Sequence, residues 1–319
     1  MSMKTAEIKF GGRGKKPLAA GQGKVKRTWD RSNEHIRDVM HSAAFLGPSV
    51  TGVAVFFIVP FLVVVYYSII RSPLNPEFVF LDNFKAVLGN SSFRTAASNT
   101  AMFSAIAVPL AVVLSLGLAL LLECRIPCKS LFRTFFLSPM MVPVASVVLI
   151  WQVVFHYRGT LNVILANFHV EPIDWLNSKY CLLVIVVLFL WKNLGYNMIL
   201  FMAALNNIPK ELLEVADVEG ASAAHKFFNI KLRYLSPTVL FVAILSIINS
   251  FKVFREIYLL VGKYPFDGLY MMQHFMNNTF ENFDYQKMAS AAVLRALVMV
   301  ALIALLFKAE DIFGKDVEG

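Results

Sequence analysis

Six apolar runs, at residues 43–70, 96–122, 134–156, 180–204, 235–261 and 288–308, alternate along the chain with shorter polar stretches. Each exceeds the ~18 residues that a helix needs to cross the ~30 Å hydrocarbon core of a bilayer. A helix satisfies its own backbone groups there, which an open loop in lipid cannot. The first run is free of charge between His41 and Arg71 and the second between Arg94 and Glu123, whereas the fourth carries Lys192 and the sixth carries Arg295 in its interior. The pattern predicts an all-α membrane protein with six transmembrane helices in a domain at 42–308, a basic tail at 1–41 and a short tail at 309–319. Carboxylates are essentially lacking within the runs, which argues against a proton relay.

The polar stretch at 205–234 has a pattern of its own. Asn206-Asn207-Ile208-Pro209 ends the fourth run, and Pro209 is well placed to start a new short helix. From Glu211 the apolar Leu212, Val215, Ala216 and Val218 alternate with Glu214, Asp217 and Glu219, an amphipathic pattern one or two turns long that Gly220 breaks. Ser222 then caps a second helix, in which Phe227, Phe228, Ile230 and Leu232 gather toward one side. Two short helices joined at Gly220 form a knob between spans four and five. The alternative, a helix resting on lipid, is disfavoured by the four acidic residues of its first half, which anionic headgroups repel.

Composition agrees with the membrane class: 57% of residues are hydrophobic and 16% charged, and the mean hydropathy is +0.62. The net charge of +9 is unevenly spread. The tail at 1–41, the turn at 123–133, the loop at 205–234 and the C-terminal end with Lys308 and Lys315 together carry nineteen Lys and Arg, the opposite face nine. That excess places both termini and the 205–234 loop in the cytoplasm. The same rule explains the basic tail without invoking nucleic acid. Within the tail, 1–28 reads as disordered and 29–41 as a helix lying at the membrane interface. No signal peptide is visible, because about forty polar and basic residues precede the first run. Cys124, Cys128 and Cys181 form no disulfide framework and supply too few ligands for a metal. The six histidines are scattered with no nucleophile at a useful spacing, so no catalytic constellation emerges. Gly14-Lys15, Gly23-Lys24 and Gly262-Lys263 each lack the glycine five positions earlier that a phosphate loop requires.

The loop resembles the Glu-Ala-Ala motif of binding-protein-dependent, ATP-binding-cassette sugar importers of the maltose and glycerol-phosphate type. The residues that carry the likeness are Glu214, Ala216, Gly220, Ala221, Phe227, Ile230, Leu232 and Pro237; Val215, Glu219 and Arg233 depart from it. Gly195-Tyr-Asn-Met-Ile-Leu-Phe-Met-Ala203, Asn99-Thr100, Leu137-Ser-Pro139, Gly159-Thr-Leu-Asn162 and Ser250-Phe-Lys-Val-Phe-Arg-Glu-Ile-Tyr258 extend the likeness over roughly 45–308. The resemblance implies a permease subunit in the inner membrane of a bacterium. Its coupling loop, with Glu214, Ala216, Asp217, Gly220, Ala221 and Phe227, would seat in a groove of a separate ATPase. The implied partners are a second, related permease chain, two ATPase subunits and an external solute-binding protein. ATP and magnesium would belong to the ATPase, with no cofactor in this chain.

Polar groups inside spans are the candidates for a substrate path. Ser246, Asn249, Ser250 and Val253 fall at i, i+3, i+4 and i+7 in span five, and Trp191, Gly195, Met198 and Met202 form a similar stripe in span four. Such groups either line a sugar path or hydrogen-bond between spans. The resemblance implies a sugar site at positions corresponding to Trp191, Gly195, Met198, Ser246, Asn249, Ser250, Val253 and Arg255. Arg255, with Lys252 beside it, points to an acidic sugar such as a uronic-acid oligosaccharide, because a guanidinium grips a carboxylate in two parallel hydrogen bonds. The competing reading pairs Arg255 with Glu256, Glu281 or a headgroup. A neutral oligosaccharide and glycerol phosphate are the alternative cargoes. A secondary transporter and a membrane scaffold are the alternative classes. The former expects interrupted, repeated spans, which the run pattern lacks.

Overall fold

The computed structural model describes residue 42 and residues 44–124 and 127–314. The interfacial helix expected at 29–41 and the last residues of the C-terminal tail lie outside the described residues. Among those described, the chain is helical, with one isolated antiparallel bridge between Ile70 and Phe78. Six helices are long and apolar enough to cross a membrane: Ala44–Ile69, Ser91–Glu123, Val144–Ala166, Cys181–Asn206, Ser236–Val261 and Tyr285–Asp311. They are called spans one to six. Residues up to Leu62 and residues from Val63 onward form two compact units. The first unit is helical from Ala44 and widens into a π-helical turn at Ala54–Ile58.

Spans two and four form the centre of the second unit. Along span two, Ala96, Thr100, Phe103, Ala107, Ala111, Ser115 and Ala119 are buried at spacings of three and four, one stripe of the helix. Alanine at four of these positions lets the backbones approach closely, the usual route to helix association in lipid. The Phe103 ring meets Phe189 of span four edge to face at 5.5 Å. Span two begins earlier than the apolar run because the Asn90 side chain caps it, accepting a hydrogen bond from the Phe93 N–H.

Two of the runs are not continuous helices. The run at 134–156, expected as one span, is broken at Val142 and Pro143 into a helix at Lys129–Met141 and another at Val144–Phe155. Proline lacks an N–H and drives the residue before it out of the helical region, and Val142 is extended at ψ 130°. The third crossing therefore starts ten residues later than the apolar run suggests, at Val144. Span five is interrupted between helices at Ser236–Ser250 and Phe254–Val261. The Ser250 hydroxyl bonds back to Ile247 O at 2.8 Å, a contact that bends helices. Past it, the turn tightens to bonds from Lys252 N to Asn249 O and from Arg255 N to Lys252 O. An interrupted span thus occurs, contrary to the uninterrupted run in the sequence.

Candidate functional site

The loop between spans four and five folds as a helix-turn-helix. Its first helix, Lys210–Val218, follows Pro209 directly. It ends on Gly220, which has φ +76°. The Ala221 N–H reaches Ala216 O at 2.9 Å and the Gly220 N–H reaches Asp217 O at 3.1 Å, the paired bonds of a Schellman termination. Glycine is needed there because a left-handed backbone is costly for any residue with a Cβ. The Ser222 hydroxyl accepts the His225 N–H at 3.2 Å and starts the second helix, which spans 223–234. An ion pair between Asp217 and Lys226 links the two helices. Lys231 donates to both carboxylate oxygens of Glu123, at 2.8 and 2.7 Å, and so ties the second helix to the end of span two.

Within this knob Ala216 is buried, Ala221 and Phe227 are half-buried, and Glu214, Asp217 and Gly220 are exposed. The expected clustering of Phe227, Phe228, Ile230 and Leu232 is only partial. Lys226–Lys231 is a π-helical turn, and this wider turn leaves Phe228 61% exposed while the other three are half-buried. Leu212, Val215 and Val218 present an exposed apolar face on the first helix, with Val218 at 89%.

A cavity of about 370 Å³ opens between spans four and five, with Met140 also in its lining. Its polar lining is Lys192, Asn193 and Tyr196 from span four and Asn249, Lys252, Arg255 and Glu256 from span five. The two spans are joined by a polar zipper: Lys192 to Glu256, Asn249 to Asn193 at 3.0 Å and Asn197 to Ser246 at 3.1 Å. Glu256 is 6% exposed, so a carboxylate does lie within the fifth run, and Lys192 is its counter-ion. Neither of the two acids named as competing partners for Arg255 pairs with it: Lys192 takes Glu256 and Lys263 takes Glu281. The side chains of Arg255 and Lys252 have no hydrogen-bond or ion-pair partner among the described residues. Three cations and one carboxylate line the cavity, a surplus of positive charge.

The eight substrate candidates divide. Asn249, Val253 and Arg255 line the cavity. Ser246 and Ser250 are buried and use their hydroxyls between helices, Ser246 with Asn197 and Ser250 with Ser104 at 2.8 Å. Met198 is fully buried in the core shared by spans two, four and five. At Gly195 an added Cβ would lie 1.8 Å from Phe136 O, so this glycine admits the helix at Lys129–Met141 against span four. Trp191 sits beside the cavity lining, edge-on to Trp151 at 6.3 Å, and Trp151 stacks on Phe155 at 4.9 Å. Lys192, Asn193, Tyr196, Lys252 and Glu256 are polar lining residues outside the eight candidates. Glu256 was legible as a lone acid in an apolar run.

Arg295, for which the sequence offers no partner, donates to Gln273 Oε1 and to Phe251 O, the latter at 3.0 Å. Near it, Asn99 donates to Tyr270 O at 3.0 Å and Thr100 accepts from the Met272 N–H at 3.0 Å. Asn99-Thr100 thereby fastens the start of the helix at Met272–Glu281 to span two.

Residues 111–318 match the family described as the binding-protein-dependent transport system inner membrane component. The arabinooligosaccharides transport system permease protein AraP of Halalkalibacterium halodurans is 32% identical over 213 residues, 63% of this chain and 67% of the relative. The sn-glycerol-3-phosphate transport system permease protein UgpA of Agrobacterium fabrum is 29% identical over 82% of this chain and 92% of its own. The trehalose/maltose transport system permease protein MalF of Thermococcus litoralis is 30% identical over 84% of this chain and 92% of its own. The fold is shared with a chain from a bacterial ABC transporter involved in the import of alginate, at a TM-score of 0.75 and 17% identity, covering 88% of this chain and 98% of that one. With six spans and the helix-turn-helix between the fourth and fifth, the chain belongs to the inner-membrane permease subunits of binding-protein-dependent ABC importers.

Proposed function

We propose that this permease carries an acidic oligosaccharide inward by alternating access, driven by ATP hydrolysis in a separate ATPase that holds the nucleotide and magnesium. The observation that carries the cargo class is the cavity wall: Lys252 and Arg255 face it without partners, while its one carboxylate is already matched by Lys192. Unpaired cations at a cavity are suited to a carboxylate, and the Arg255 fork to two parallel hydrogen bonds with it. Asn249, Asn193 and Tyr196 supply amide and aromatic groups for a sugar's polar rim and apolar face. Support for a carbohydrate also comes from the relatives, whose names specify arabinooligosaccharides and trehalose or maltose. Other relatives are named for sn-glycerol-3-phosphate, whose phosphate the same cations would suit.

In this reading the helix-turn-helix seats in the ATPase, with Glu214, Asp217 and the Gly220 turn at the contact and Ala216, Ala221 and Phe227 holding its shape. Its exposed Val215 and Val218 would be covered there. Both termini lie in the cytoplasm, as the excess of Lys and Arg on that face supports. A second, related permease, two ATPase copies and an external solute-binding protein complete the assembly.

The test is ATPase activity of the lipid-reconstituted complex with its binding protein, across uronic-acid oligosaccharides, neutral oligosaccharides and glycerol phosphate. Stimulation by the uronic members is expected. Arg255→Ala should raise the concentration needed for half-maximal stimulation roughly tenfold or more, the scale of a lost charge-assisted hydrogen bond. Equal stimulation by neutral sugars, indifferent to Arg255→Ala, overturns the acidic cargo, and stimulation by glycerol phosphate alone transfers the site to a phosphate.

A further inference from the structure

The turn that presents Lys252 and Arg255 to the cavity is a defect in span five, and defects in a membrane helix leave carbonyls that need donors. In an unbroken helix Phe251 O would accept the Arg255 N–H. Here that N–H goes to Lys252 O at 3.3 Å, so Phe251 O is left to the Arg295 guanidinium at 3.0 Å. The same guanidinium donates to Gln273 Oε1 and lies 5.5 Å from the centre of the Phe251 ring. Arg295 stands ten residues inside Tyr285–Asp311, roughly 15 Å of helix from its start. A cation at that depth is expensive, and no carboxylate pairs with it among the described residues.

We propose that Arg295 is a positioning residue of the transport cavity. It holds the interruption of span five from behind, so that Lys252 and Arg255 keep their place in front. The turn is gripped on both flanks, because Lys192 of span four holds Glu256 on the cavity side. Behind, Arg295 links the turn to Gln273, whose helix is latched to span two through Thr100 and Met272. Neutral hydrogen-bonding residues would each supply part of this. The guanidinium reaches the carbonyl, the amide and the aromatic face at once. The inference rests on the cavity being the cargo site but not on the cargo's being acidic.

The experiment measures half-saturation and maximal rate of cargo-stimulated ATPase in the full complex, using whichever sugar stimulates the wild type. Arg295→Met should raise half-saturation about tenfold, the order of one charge-assisted hydrogen bond, with the maximal and basal rates within twofold. Arg295→Lys, which keeps a donor for Phe251 O, should recover part of that loss. If Arg295→Met does not assemble, Arg295→Lys and Gln273→Ala each remove one contact, and each should raise half-saturation by twofold to fivefold. Unchanged half-saturation in the assembled variants overturns the proposal, as does a fall in maximal and basal rates together with half-saturation intact. Neutral-sugar stimulation of the wild type would end the acidic reading while leaving this test in force.

Discussion

Lys192 and Glu256 lie on facing spans, and the carboxylate is almost fully buried. Removing one partner leaves the other charge in a poorly hydrated site, at a cost of about 3 kcal/mol. Replacing both by apolar residues of similar volume is closer to neutral. Thermal unfolding of the purified protein should therefore show Lys192→Met and Glu256→Leu each melting well below wild type, with the double variant regaining most of the loss. Additive losses would mean that the two residues do not act as a pair. Both charges are visible in the sequence as intruders in apolar runs. Their pairing is not, since it depends on how residues 64 apart come into register across two helices. The same register decides the polar stripe of span five. Its spacing places Ser246, Asn249 and Ser250 together, but only the packed helices show that Ser246 and Ser250 turn to Asn197 and Ser104 while Asn249 also reaches the cavity.

At the scale of elements, local chemistry was most legible where it acts within a few residues. Pro209, Gly220 and Ser222 mark the start, turn and restart of the knob, and each acts through neighbours no more than about five positions away. Gly220→Val puts a β-branched side chain at φ +76°, where nothing crowds it but the backbone itself is strained, by about 1–2 kcal/mol or more. The variant complex is expected to keep its basal ATPase rate and lose most cargo stimulation; full stimulation would detach the turn from coupling. The breaks at Pro143 and Phe251 were less legible: apolar composition continues straight through the first, and at the second Lys252, Arg255 and Glu256 mark a polar patch without showing that the helix is interrupted there. The helix at Met272–Glu281 carries a pH-dependent element. His274 is buried, its Nδ1 accepts the Met271 N–H at 3.2 Å, and burial pushes its pKa down to about 4. Its folded-state pKa is thus below the ordinary 6.5, so the unfolded chain binds the extra proton first. The neutral imidazole's contribution is complete above about pH 6.5 and is lost as pH falls toward 4. Melting temperature should decline over that window in wild type and more shallowly in His274→Gln; identical slopes would assign the decline to other groups.

For the whole molecule, the apolar periodicity, the charge asymmetry and the loop pattern converge on one architecture because bilayer thickness and backbone satisfaction leave few alternatives. Cargo depends on a few side chains whose exposure is set only after the spans pack, and that part was the least legible. Lys252 and Arg255 acquire meaning once Lys192 and Lys263 are seen to occupy the nearby acids. The central claim is that this permease, with its partners, imports an acidic oligosaccharide at the expense of ATP. Uptake of a labelled uronic-acid oligosaccharide into proteoliposomes tests it most directly, with the binding protein on the cargo side and ATP on the ATPase side. The account predicts accumulation that requires ATP, persists when ion gradients are collapsed and is outcompeted poorly by neutral oligosaccharides. Accumulation driven by an ion gradient without ATP would contradict it.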